Sequence, residues 1–194
     1  MPRKKRVWYP GATYHIMCRG NRRSDLFRNE EDYQIYRTVL EEANEKHDFS
    51  LYSYCLMTNH IHLQLQTKQD EIWKIMRTIN LFYARYFNNS YNFIGHLFQG
   101  RYRSEIIEKD SYNLVTSRYI HLNPVRANMV DTPIEYSWSS YQVYMGNYKT
   151  ELISEEKILS YFKNNSRDLY KKYVESKIEN SRYEKQIKEK MEVE

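Results

Sequence analysis

The sequence predicts an α+β fold of ferredoxin-like (RRM-like) type, an antiparallel sheet with helices on one face and the other face open. Three observations carry this. The segments run strand–helix–strand–strand–helix–strand–helix, an order in which the first two helices cover one side of a sheet. From His60 to Gln66 the residues alternate, with His60, His62, Gln64 and Gln66 set against Ile61, Leu63 and Leu65. That is the period of a strand with one buried face. Between 72 and 87, Ile72, Ile75, Met76, Ile79, Phe82, Tyr83, Tyr86 and Phe87 recur at three-four spacing, the stripe of a core-facing helix.

Residues 1–10 read as a basic, proline-bounded arm that also holds Trp8 and Tyr9. Ala12 to Arg19 alternates Tyr14, Ile16 and Cys18 against Thr13, His15 and Met17, a first strand. His15, on a strand neighbouring that of His60 and His62, can approach their site or contact DNA, with a hydrogen-bonded sheet histidine as the plainer reading. Gly20-Asn21-Arg22-Arg23 is a donor-rich turn. Asn29 suits the cap of a helix reaching about His47, and two strands, Phe49 to Met57 and Asn59 to Gln66, follow with a tight turn between them. Asp70 is a cap candidate for the second helix. Residues 88–103 read as an irregular connection, 104–109 as a short strand, and Asp110 or Ser111 as the cap of a third helix. Pro124 limits that helix. Two units are expected: 1–150, closed by Gly146, and a helical C-terminal extension, 151–194, docking through Leu152, Ile158, Leu159 and Phe162. Its last dozen residues are expected to fray.

The chain of 194 residues has a net charge of +5. Residues 1–28 carry eight Lys/Arg against the single acid Asp25, whereas 151–194 balances ten against ten. A cationic arm on a near-neutral body points to a polyanion, nucleic acid first. Arg3, Lys4, Lys5 and Arg6 suit phosphates, Trp8 and Tyr9 suit base stacking, and Arg22, Arg23, Arg101 and Arg103 are further DNA-binding candidates. For each, a solvated surface charge or aromatic is the plainer reading. No apolar run is long enough to span a membrane or to serve as a secretory signal. Two cysteines, Cys18 and Cys55, sit in apolar segments and read as buried thiols in a reducing cytoplasm.

His60 and His62 stand side by side on the polar face of their strand, where two imidazoles can close on one metal ion. A pair of surface histidines is the alternative. Further on, Tyr119 and Asn123 are four residues apart and share a helix face if the helix persists that far. Tyr119 can then attack while Asn123 offers its carbonyl oxygen to the metal. Because Pro124 disfavours α geometry at Asn123, the last turn must be distorted. A core tyrosine followed by an Asn-Pro helix stop accounts for the same residues. His96 and His121 are expected to be structural, His121 pointing away from Tyr119.

Five ordered blocks carry a resemblance: Tyr14-His15 with Arg19-Gly20-Asn21; Leu56 to Leu63; Gly95-His96-Leu97-Phe98-Gln99-Gly100-Arg101-Tyr102; Tyr119 to Ala127; and Tyr136-Ser137-Trp138-Ser139-Ser140-Tyr141. Together they resemble the HUH-type transposases with a single tyrosine, and within these the REP-associated tyrosine transposases. The likeness spans residues 7–145, with Thr58 where many relatives carry Pro. It implies a metal-dependent transposase that cleaves and rejoins single-stranded DNA beside hairpin (REP-like) elements through a 5′-phosphotyrosine. Carried over, Tyr119 is the nucleophile, and His60, His62 and Asn123 are the ligands of Mg²⁺ or Mn²⁺. The protein would act in the bacterial cytoplasm as a monomer or homodimer. The chemistry is coherent: phenols ordinarily titrate near ~10, so the phosphate and leaving group need activation. Two other readings stay open, a metal-dependent phosphodiesterase using water and a non-catalytic single-strand-binding module. The first would leave no covalent adduct, and the second would need no metal.

Overall fold

A computed structural model describes residues 7–178. The four basic residues Arg3, Lys4, Lys5 and Arg6 lie outside the described residues, as do the last dozen. β1 (Thr13–Arg19), β2 (Ser50–Met57), β3 (His60–Gln66) and β4 (Arg103–Ile106) form one sheet in the order β2-β3-β1-β4, every neighbour antiparallel. The helices are α1 (Glu30–His47), α2 (Ile72–Tyr91), α3 (Asp110–His121), α4 (Asn123–Arg126), α5 (Tyr141–Tyr144), α6 (Glu156–Leu159) and α7 over 167–178. This is the expected α+β arrangement, with α1 and α2 packed together on one side of the sheet.

The faces follow from register. Ile61, Leu63 and Leu65 are fully buried beside Tyr14, Ile16 and Cys18 of β1, and α2 adds Ile75, Met76, Ile79, Tyr83 and Phe87 from the apolar stripe. Asn29 Oδ1 caps α1, accepting from Asp32 N at 3.0 Å. The buried Asp32 carboxylate in turn accepts from Tyr86 and Tyr91 of α2.

Two expected caps fall elsewhere. Asp70 does not cap α2, whose N-cap is Glu71; its carboxylate takes His47 Nδ1 at 2.7 Å and Lys74 Nζ at 3.0 Å instead. Nor does an acidic or hydroxyl side chain cap α3, which starts from Lys109. Asp110 accepts from the Tyr161 hydroxyl at 2.8 Å. Both carboxylates are taken by side chains, His47 and Lys74 for Asp70 and Tyr161 for Asp110, rather than by the free N–H groups of a first turn.

The opposite face of the sheet is half covered. α3 packs on β2 and β3, and Gln64 Nε2 donates to the main-chain oxygen and Oδ1 of Asn113 at 3.1 and 3.0 Å. The chain at 138–140 runs along the outer edge of β2, with Leu56 N donating to Trp138 O and Ser140 N to Tyr54 O. Leu152, Ile153, Ile158, Leu159, Tyr170, Val174 and Ile178 join the same hydrophobic cluster as the sheet and α1–α2, so packing is continuous across residue 150. Both cysteines are buried and free, and burial pushes the Cys18 thiol up to about 12. Among the described residues no helix is long and apolar enough to cross a membrane.

Candidate active site

Tyr119 reaches the sheet because α3 is held down along its length by hydrogen bonds. Besides Gln64–Asn113, Ser117 Oγ meets the buried Tyr170 hydroxyl at 2.6 Å. His121 Nδ1 meets the same hydroxyl at 2.7 Å, and its Nε2 meets Ser140 Oγ at 2.8 Å. His121 therefore points away from Tyr119 into a cage of Tyr141, Tyr144 and Tyr170, as expected of a structural histidine. Burial lowers its pKa to about 3. The helix then breaks as Pro124 requires: Leu122 sits at φ −87°, ψ −3°, and the chain resumes as α4.

On the exposed side of α3 the Tyr119 ring lies 5.6 Å from the His62 ring and 5.7 Å from the His15 ring, edge-on to both. His60 is 5.2 Å from His62. The sheet brings in His15 through its register: it opposes Gln64 in β3 and sits diagonally to His62. Its Nε2 lies 3.0 Å from His62 Nδ1, with the rings stacked 5.2 Å apart. His15 is thus a hydrogen-bonded sheet histidine that also approaches the site, so both of those expected placements hold together. Burial lowers the pKa of all three imidazoles. For His62, packed against His15, His60 and Arg19, it falls to about 3. Neutral imidazoles are the form that ligates metals.

The donor set suits a divalent cation. His60 Nδ1 lies 2.8 Å from Asn59 Oδ1. An amide oxygen only accepts, so Nδ1 carries the hydrogen and Nε2 keeps its lone pair. Asn123, 9 % exposed, donates Nδ2 to the Tyr119 carbonyl at 2.9 Å, so Oδ1 is the atom it can offer to a ligand. Among the described residues no three His, Cys, Asp or Glu side chains form a metal-holding cluster. His60 and His62 present two neutral imidazoles with ring centres 5.2 Å apart, a donor type suited to a divalent cation that keeps positions for water or phosphate.

Arg126 was not among the expected site residues. Its Cζ lies 4.9 Å from the centre of the Tyr119 ring, a cation–π contact. Spacing did not announce it, because α3 ends at His121 and Arg126 belongs to the separate turn α4.

The other candidates scatter. Trp8 donates its indole N–H to Asp70 O at 3.2 Å and packs on the core, while Tyr9 is exposed. Arg22 and Arg23 project from a 3₁₀ turn with positive φ. Arg101 lines a groove beside α2, and Arg103 is exposed on β4. His96, expected to be structural, is exposed in the wall of that groove, while its neighbour Leu97 is the residue of the loop that enters the core.

Among solved structures, a REP-associated tyrosine transposase bound to a REP hairpin superposes with TM-score 0.66 at 17% identity, covering 79% of this chain and 94% of the other. That likeness shows the fold. A candidate transposase from Deinococcus radiodurans R1, also 17% identical, gives TM-score 0.44 over 61% of this chain and 95% of its own. No curated protein sequence matches. The family model for IS200-like transposases matches residues 9–123, more than half of the chain and the stretch that holds His15, His60, His62, Tyr119 and Asn123; this chain belongs to the IS200-like transposases.

Proposed function

We propose that this transposase cleaves and rejoins single-stranded DNA beside hairpins, using Tyr119 as the nucleophile. The observation that carries the reading is the Tyr119 ring packed edge-on against two neutral imidazoles of the sheet, 5.6 and 5.7 Å away. The phenol is 37 % exposed, within reach of a substrate phosphate. Its Oη attacks phosphorus and its proton passes to solvent. The P–O3′ bond breaks, and the departing oxygen leaves with the electron pair and is protonated. The 5′ end of the downstream fragment is then esterified to Tyr119, and attack by a 3′-hydroxyl reverses the exchange. One phosphoester replaces another, so the bond is conserved where water would hydrolyse it.

His60, His62 and Asn123 would hold Mg²⁺ or Mn²⁺. When bound, such an ion polarises the phosphate and stabilises the charge on the leaving oxygen. Asn59 and His15 orient the two imidazoles, and the Arg126 guanidinium fixes the Tyr119 ring and adds positive charge beside the attacked phosphate. A hairpin-bearing DNA partner is supported by the REP hairpin on the transposase of like fold and by the basic arm.

The test is cleavage of random single strands flanking a hairpin, with Mn²⁺ present and denaturing gels to catch adducts. Wild type should yield a DNA–protein band whose label maps to Tyr119 by mass spectrometry. Tyr119→Phe should form none while losing at most about 1 kcal/mol of stability. His60→Ala, His62→Ala or EDTA should abolish cleavage and leave most DNA affinity, which comes from phosphate contacts. Full activity in EDTA, or an adduct on another tyrosine, overturns the assignment. Cleavage without any adduct points to water as the nucleophile.

A further inference from the structure

One ridge of α2 remains unexplained by the core or by the active site. Trp73, Arg77, Leu81 and Arg85 follow one another at four-residue spacing and all face solvent, Trp73 being 44 % and Leu81 41 % exposed. They form one wall of a groove of about 1090 Å³ whose other wall is the 95–102 loop, with His96, Phe98, Arg101 and Tyr102. Among the described residues no Asp or Glu lines it, and no ion pair neutralises Arg77, Arg85 or Arg101. In its wall Asn88 Oδ1, shielded from solvent, accepts no hydrogen bond.

We propose that this groove binds a single-stranded stretch of the DNA substrate that continues from the active site. The inference rests on single-stranded DNA being the substrate and adds where its flank lies. Three features fit that occupant. Arg77 and Arg85 are about 12 Å apart along the helix at 1.5 Å per residue, so they can meet separate phosphates of one strand. Trp73, Phe98 and Tyr102 offer ring faces for unpaired bases, which a duplex would keep stacked on each other. Asn88 Oδ1 can accept from a base amino group. An acidic peptide would engage the guanidiniums but not the aromatic walls. The groove is also joined to the active site: Gln99 N donates to Arg19 O and Asn21 N to Leu97 O, both at 2.8 Å, and Arg19 is the cross-strand partner of His60.

The probe is a fluorescein-labelled 20-nucleotide oligothymidylate, titrated in EDTA against the full chain carrying Tyr119→Phe, so that neither metal nor cleavage enters. Adding Trp73→Ala should weaken binding on the order of tenfold with an unchanged salt slope. Adding Arg77→Ala with Arg85→Ala should flatten the slope of log affinity against log salt by about 1.4, at roughly 0.7 for each phosphate no longer neutralised. A 5-iodouracil oligonucleotide photo-crosslinked to the otherwise unaltered chain should attach at Trp73, Phe98 or Tyr102, a readout independent of how the variants fold. Wild-type affinity and slope in the groove variants, or crosslinks only elsewhere, overturn the groove. Those outcomes leave the cleavage assignment standing, whereas groove binding without metal-dependent cleavage overturns that assignment alone.

Discussion

The two faces of the sheet are built by different physics. Against α1 and α2 the contact is largely apolar: Leu40, Ile61, Leu63, Ile75, Ile79 and Tyr83 are fully buried, with the Tyr83 hydroxyl donating to Leu26 O and a hydrogen-bonded cluster around Asp32. Against α3 the contact is polar. Gln64, Asn113, Ser117, His121, Ser140 and Tyr170 are all buried, and each is hydrogen-bonded to another of the set. Apolar burial is strong but non-directional, and it fixes that a helix lies on the sheet. Hydrogen bonds lose strength within tenths of an ångström and a few tens of degrees, and they fix where the helix lies. The helix carrying the proposed nucleophile is the one secured directionally.

If that contrast is right, damage on the two faces should separate stability from activity. The largest expected effect on stability is on the apolar face: Leu40→Ala should cost about 3 kcal/mol, the range for a buried leucine, with cleavage per folded molecule unchanged. Tyr170→Phe should cost less, about 2 kcal/mol, because it strips a partner from both Ser117 and His121. Its effect on chemistry should nevertheless be larger, at least about tenfold in single-turnover cleavage, since α3 loses its latch and small displacements of a reacting group are costly. Urea melts paired with cleavage of the same samples measure both quantities. Equal loss of activity per folded molecule in the two variants would erase the distinction.

The same contrast explains what could be read before the structure. The stripe on α2, the alternation of β3 and the Asn29 cap depend on neighbours within one element, and each appears where its spacing placed it. His60, His62, Tyr119 and Asn123 were visible for the same reason, as pairs two and four residues apart. What escaped depends on distant partners. Tyr170 meets Ser117 and His121 across 53 and 49 residues, and no periodicity announces such a bond. The alternation of β1 sets His15 on the polar face, but its contact with His62 depends on the β1–β3 register, which no local spacing gives. Asp70 and Asp110 sat at plausible cap positions but were taken by His47, Lys74 and Tyr161.

The smallest effect sharpens the comparison by isolating one group of the polar face. His121 is buried among tyrosines with both ring nitrogens hydrogen-bonded, and burial lowers its pKa to about 3. In the unfolded chain it titrates near ~6.5. Between those values the unfolded state binds a proton that the folded state refuses, so stability is full above the unfolded pKa and falls as pH drops below it. From pH 7.5 to 5.5 this single group should remove about 1.4 kcal/mol. Other buried histidines titrate in the same sense, so the quantity to measure is a difference: the unfolding free energy of wild type minus that of His121→Gln, at both pH values. Glutamine offers a donor and an acceptor but no proton to gain, so the variant should lose about 1.4 kcal/mol less over the interval. An unchanged difference would show that water or a shifted helix admits the proton to His121, and that the contact under α3 is looser than its hydrogen bonds require.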